Sequence, residues 1–256
     1  MADSWENDVK QWMTGWMAAA CLAAFSTPAA ADTIAGVYAG AGIWRAGPGG
    51  SIGGTAADVD ALGLSSETNG FVYVALEHPI PTLPNVKLQH TRLGTRGEGL
   101  LTRQFRLDDV EFSAGETVST DLDLTHTDVV MYYEVLDNVL SLDLGATLRV
   151  FDGHARVASR SGTLSESVGI DLVVPMAYGR ALIELPAGLS LSATANFIGY
   201  SGNSLQDLSA HVAYGFDSAV DVGVELGYRR LALELDDDSR TDVSLDGPYV
   251  AVAVHF

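Results

Sequence analysis

From Ile34 onward, apolar and polar residues alternate with a period of two, which predicts strands and no helix. In "VLSLDLGATLRVF", Leu140, Leu142, Leu144, Ala146, Leu148 and Val150 fall on one face, and Ser141, Asp143, Gly145, Thr147 and Arg149 on the other. "VDVGVELGYRR" sets Val220, Val222, Val224, Leu226 and Tyr228 against Asp221, Gly223, Glu225, Gly227 and Arg229. "LSLSATANF" sets Leu189, Leu191, Ala193, Ala195 and Phe197 against Ser190, Ser192, Thr194 and Asn196. These runs alternate for nine to twelve residues. Strands of soluble proteins usually span about 5–6 residues, whereas a tilted strand crossing a bilayer needs about 9–11. In hydrocarbon every backbone N–H and C=O must pair within the protein, so a sheet can span only as a closed barrel. Long apolar-out, polar-in alternation is the pattern of such barrels.

The connections alternate in length. Short ones are expected at Asp137-Asn138, Pro186-Ala187-Gly188 and Asp217-Ser218-Ala219, with a proline-rich one over residues 78–85. Longer ones are expected over residues 46–69, 94–118 (an extended hairpin turning at "SAGET") and 152–169, and at "SGNS" and "DDDSRTD". The resulting expectation is an all-β fold, a single antiparallel up-and-down transmembrane β-barrel. Its ten strands cover about 34–45, 70–78, 85–95, 118–136, 139–151, 169–185, 189–200, 205–216, 220–235 and 243–256, with eight strands as the alternative if one hairpin is loop. Both termini then lie on the side of the short turns, the periplasmic side. Trp44, Tyr132, Tyr133, Tyr178, Tyr200, Tyr214, Tyr228 and Tyr249 sit mostly near strand ends, where amphipathic rings suit a membrane interface.

Charge narrows the partners. Of 256 residues, 33 are acidic and 14 basic, for a net charge of −19, and the only lysines are Lys10 and Lys87. This balance argues against nucleic acid, whose phosphates need a basic footprint. The one cysteine, Cys21, lies within a segment that reads as an export signal: an apolar run, "MAAACLAAF", followed by the small residues of "STPAAA". Cleavage after Ala31 divides the chain into a signal peptide (1–31) and a barrel (32–256). Acylation at Cys21 is the alternative reading of that segment.

The chain finishes on a strand with Val250, Val252, Val254 and Phe256 at alternate positions. This stretch resembles the terminal strand that outer-membrane barrels of Gram-negative bacteria present to the barrel assembly machinery. "ALEHPIPTLPNVKL", "YYEVLDN" and "SLDLG" are similar to segments of a poorly characterised family of such barrels. The resemblance implies a location in the outer membrane, in contact with lipid and lipopolysaccharide, and carries no activity.

Motifs for chemistry are sparse. No G-x-S-x-G, H-E-x-x-H, C-x-x-C or P-loop occurs. "GAGIWRAG" has Arg45 where a dinucleotide fingerprint needs its third glycine, and "DDDSRTD" lacks the glycine and spacing of a calcium loop. Ser209 and His211 share a strand face, an arrangement that resembles outer-membrane lipid hydrolases. His126 and Asp128, beside Asp121 and Asp123, resemble the Asp/His arrangement of omptin proteases. A polar pair in a lumen is nevertheless the default for a barrel, so no catalytic, cofactor or metal site is expected. The residues expected to line the lumen with charge are Glu134, Asp143, Arg149, Asp221, Glu225 and Arg229. They would form a salt-bridged plug or a narrow polar conduit, because isolated buried charge is too costly to persist. A structural, adhesive or narrow-pore role follows. The alternatives are an outer-membrane lipid hydrolase or protease, and a secreted soluble barrel that binds an apolar ligand with its aliphatic face turned inward.

Overall fold

The computed structural model describes residues 36–52, 57–216, 221–235 and 241–256. The expected signal segment with Cys21, the turn at 217–219 and residues 236–240 of the acidic tip lie outside the described residues. The first strands are β1 (Gly36–Ile52), β2 (Ala57–Asp58), β3 (Glu67–Glu77), β4 (Asn85–Thr91), β5 (Gly94–Leu100), β6 (Phe105–Leu107), β7 (Val110–Phe112) and β8 (Thr117–Asp123). They are followed by β9 (His126–Leu136), β10 (Leu140–Ser159), β11 (Ser165–Leu185), β12 (Leu189–Tyr200), β13 (Asn203–Phe216), β14 (Asp221–Leu235) and β15 (Thr241–His255). Among the described residues, ten of these close an antiparallel up-and-down barrel in the ring order β1-β3-β4-β9-β10-β11-β12-β13-β14-β15. Closure is made by β15 on β1, from Tyr38 opposite His255 to Ser51 opposite Asp242. It extends through Phe256, whose N–H donates to the Val37 carbonyl at 3.0 Å.

Three of the expected loops are largely or partly strand: in the expected 46–69 connection β1 runs on to Ile52, β2 adds Ala57–Asp58 and β3 begins at Glu67. β10 and β11 pair without interruption from Leu140↔Ile183 to Ala158↔Ser165, so only residues 160–164 of the expected 152–169 connection turn the chain. The 94–118 segment is one long hairpin continuing β4 and β9 in register: Thr91↔His126, Gly94↔Asp123 and Phe105↔Phe112. It turns at Asp108-Asp109, between the paired Leu107 and Val110, and not at "SAGET". Asp108 takes φ 48°, a conformation aspartate tolerates because its short side chain bonds locally. Gly115, with φ 84°, only interrupts the ladder, its N–H donating to the Leu101 carbonyl at 2.7 Å.

Alternation holds along the long strands, and on most of them its sense reverses partway. On β10 the outward positions run Leu144, Ala146, Leu148 and Val150, then Asp152, His154 and Arg156. The inward positions run Asp143, Thr147 and Arg149, then Phe151, Ala155 and Val157. On β14, Val224, Leu226 and Tyr228 give way outside to Arg230, while Glu225 and Arg229 give way inside to Leu231. The same exchange occurs at Ile43 to Arg45 on β1, at Leu88 to His90 and Arg92 from β4, at Val173 to Asp171 on β11, and at Val250 to Asp246 on β15. The barrel therefore has two sections. At the short-turn end its outer face is aliphatic and its interior polar; at the hairpin end its outer face is polar and its interior apolar.

The apolar interior packs Trp44, Leu93, Leu124, Phe151, Leu231 and Leu245 into one cluster. Beyond it a second core joins Val59, Leu62 and Leu64 to Phe105, Phe112 and Val157 on the extended hairpins. The 60–64 segment lies directly on β5. A Cβ on Gly97 would stand 1.7 Å from the Gly63 carbonyl oxygen, and one on Gly99 2.0 Å from that of Ala61, so only glycine permits this approach.

The expected aromatic girdle divides in two. Tyr133, Tyr200, Tyr214 and Tyr228 face outward. Trp44, Tyr132, Tyr178 and Tyr249 are buried inside the barrel, a correction that follows from parity. Tyr132 and Tyr133 are adjacent and cannot share a face, and Tyr178 shares its face with Arg180 and Met176.

Candidate functional site: the charged lumen

Five of the six charged residues expected in the lumen point inward: Glu134, Asp143, Arg149, Glu225 and Arg229. The sixth, Asp221, shares the parity of Glu225 on β14 but stands at the rim of the lumen, 72% exposed and 3.6 Å from the lumen-lining His255. Of the terminal-strand residues, Val250, Val252 and Phe256 are exposed on the outer face, with Val254 of the same parity.

At the boundary between the two sections lies a buried ionic layer. Arg149 on β10 donates from Nε and Nη2 to both carboxylate oxygens of Asp128 on neighbouring β9, at 2.7 and 2.8 Å. Its Nη2 also reaches across the lumen to Asp207 on β13, at 2.5 Å. Asp207 accepts in turn from Arg229 on β14, at 2.9 and 2.6 Å. Arg229 further donates to Thr91 on β4 at 3.3 Å and lies 3.4 Å from His126 Nε2 on β9. Its guanidinium rests 4.8 Å from the Trp44 ring centre, a cation–π contact with the apolar cluster above. Two carboxylates thus meet two guanidiniums in paired, planar geometry, the arrangement in which burial of charge is tolerable. The layer ties together β4, β9, β10, β13 and β14.

His126, Asp128 and Asp207 place one donor atom each within 4.8 Å of one another, a grouping that could hold a metal ion. Both carboxylates are already engaged by guanidiniums. The His126 Nδ1 contacts the Leu124 carbonyl at 2.8 Å, so it is Nδ1 that carries the hydrogen and donates. A cation here would have to displace two arginines, and the donor set fits a neutral ionic layer better than a metal centre.

On the short-turn side of this layer the lumen widens into a cavity of about 520 Å³. Polar pairs line it. Tyr132 donates to Glu77 at 2.7 Å, Tyr73 to Glu225 at 3.1 Å, and Arg180 to Asp143 at 3.4 Å. Thr147 and Asn196 bond across the interior at 2.6 Å. On the other side of the ionic layer the interior is the packed cluster of Trp44, Leu93, Leu231 and Leu245, each at most 1% exposed. Among the described residues, the lumen is open at one end and closed at the other.

The Ser209–His211 and His126–Asp128 pairs are each engaged by other partners. Among the described residues, Ser209 makes no hydrogen bond to His211; the His211 Nδ1 pairs with the Tyr249 hydroxyl at 2.7 Å and lies 4.0 Å from Glu225. Asp128 is held by Arg149, and His126 is sealed within the ionic layer. Sequence reasoning missed Asp207, the carboxylate shared by both arginines, although it lies two residues before Ser209 on the same inward face. The partners of Arg149 and Arg229 were not predictable from spacing, because they come from strands across the ring.

The fold and lumen together define a closed ten-stranded antiparallel barrel with a one-ended polar cavity. The chain matches no protein-family model, and no curated protein matches it.

Proposed function

We propose that this chain is an integral outer-membrane β-barrel of a Gram-negative bacterium, with a structural or adhesive role and a lumen that does not conduct. The observation that carries this reading is the reversal of alternation. Leu226, 66% exposed, together with Val72, Leu144, Leu191, Val212 and Val252, forms an aliphatic belt on one section of the barrel, and the belt stops where Arg45, Asp152, Asp171, Arg230 and Asp246 begin. An uninterrupted apolar belt around a monomer is unstable in water and stable in hydrocarbon. The section beyond it has the polarity of a soluble β-structure and would stand outside the bilayer. On this reading the short turns face the periplasm, the belt meets lipid and lipopolysaccharide, and residues 1–31 direct export. The strand ending at Phe256 engages the assembly machinery, as its resemblance to outer-membrane barrels suggests. No catalytic role is assigned, since Ser209 and His211 do not form a nucleophile–base pair.

The ionic layer and the apolar cluster beyond it argue for the plug over the conduit. Membrane fractionation followed by reconstitution tests the proposal. The protein should sediment with outer membranes, resist extraction at alkaline pH, and give no single-channel steps in a planar bilayer. Recovery from the aqueous periplasm without detergent would remove the membrane assignment. Stepwise conductance would remove the plug.

A further inference from the structure

The cavity on the short-turn side of the ionic layer is larger than the barrel's own side chains need, and falls within the range of about 300–1,000 Å³ typical of small-molecule sites. Its charge is unbalanced. Glu77, Glu134 and Asp143 gather near its mouth, and the cation beside them is Arg180, 3.4 Å from Asp143. Among the described residues, Glu134 has neither a hydrogen-bond partner nor an ion-pair partner.

We infer that this cavity binds a small organic cation bearing more than one amine. A second observation independent of charge points to a ligand. Tyr178 is 6% exposed and lines the cavity, yet its hydroxyl bonds to no group of the chain among the described residues. It can accept an N–H from an incoming ammonium. The cavity wall also contains a worked instance of the recognition. The Lys87 ammonium stands 4.6 Å from the centre of the Tyr73 ring, and the Tyr73 hydroxyl is bonded to Glu225. Ring face plus carboxylate is a combination that holds alkylammonium groups. Tyr132 and Tyr178, with ring centres 5.7 Å apart and the Tyr132 hydroxyl on Glu77, repeat that combination beside Glu134, and no lysine of the described residues reaches them.

The chemistry selects the ligand class. An anion would meet the excess of carboxylates. A single metal ion is disfavoured, because among the described residues the only trio of metal-type donors within 4.8 Å is His126, Asp128 and Asp207, already neutralised by two arginines. Carboxylates spread along a tyrosine-lined wall suit an extended cation that meets them in turn.

The experiment is titration calorimetry of spermidine into the full barrel, refolded in detergent, with folding checked by circular dichroism. One saturable site is expected. Glu134→Gln, which removes a carboxylate with no hydrogen-bond or ion-pair partner among the described residues, should weaken binding about three- to fivefold. Tyr178→Phe should weaken it about twofold, the loss of one modest hydrogen bond. Glu98→Gln, on the distant extension, should leave it unchanged. Raising ionic strength from about 0.01 M to about 0.15 M should weaken binding as the screening length falls from about 30 to 8 Å. Folded protein that takes up no spermidine overturns the inference. So does equal binding by the Glu134→Gln and Glu98→Gln variants, full competition by Mg²⁺ alone at matched concentration, or preferential uptake of citrate. The membrane proposal survives each of these results, because binding is measured on barrel already shown to be folded.

Discussion

The two sections of this barrel are made from the same ten strands, yet they have opposite interiors. Toward the short turns the interior holds Glu77, Lys87, Glu134, Asp143 and Glu225 around an open cavity. Toward the hairpins it holds Trp44, Phe151, Leu231 and Leu245 packed in one buried cluster. The outer faces are opposite in the same way. The difference shows that alternation alone does not say which face of a strand is inside; on the proposed membrane reading, the solvent around each section decides that. Where the surroundings are hydrocarbon, aliphatics face out and polar groups must find one another within the tube. Where they are water, the barrel packs like any soluble domain. The layer of Asp128, Arg149, Asp207 and Arg229 stands where the two regimes meet.

That boundary is the place to break first. Asp207→Ala leaves Arg149 and Arg229 buried without their shared carboxylate, and should cost about 3–5 kcal/mol of stability. Urea unfolding of refolded protein would measure it, and a loss below about 1 kcal/mol would show that the layer is not the buried ionic unit described here. Next in size is a test of the belt. Leu226→Arg should destabilise the protein in lipid vesicles by about 2–4 kcal/mol, whereas Ser167→Arg on the water-facing section should change little. Equal effects at the two sites would erase the distinction between the sections. A smaller and more local effect is expected from Gly97→Ala, which forces the 60–64 segment off β5. We expect about 1–3 kcal/mol, read as faster proteolysis within residues 57–66 while the barrel stays resistant. The smallest belongs to Arg160→Ala, which removes the exposed pair with Glu98 at 3.1 Å and should change stability by less than about 1 kcal/mol.

The belt section was legible in the sequence, and the reason is physical. Between Leu140 and Val150, or Leu189 and Phe197, one face carries exposed aliphatics and the other faces a polar lumen, so the period of two stands out at full contrast. The ten-strand order and most strand limits followed from those stretches. Past Val150 the contrast both weakens and inverts. Asp152, His154 and Arg156 now face out, and read as a polar loop to any search for apolar-out strands. This is why the pattern ends β10 and β11 short of their full length. The lumen was legible in part for a related reason. Parity puts Arg149 and Arg229 inside, but which carboxylate each meets depends on ring closure and strand stagger, which no local pattern records. Asp207 is hidden by this, and parity, not position near a strand end, decides which tyrosines face the lumen.

The most direct test of the central claim is the environment of the outward positions on either side of the polarity reversal. With Cys21 replaced by serine, spin labels attached to Leu144→Cys and Leu226→Cys in lipid vesicles should be relaxed by dissolved oxygen and shielded from a water-soluble nickel chelate. Labels attached to Asp152→Cys and Ser167→Cys should show the opposite preference. Chelate contact at Leu144 and Leu226 equal to that at Asp152 would contradict the account.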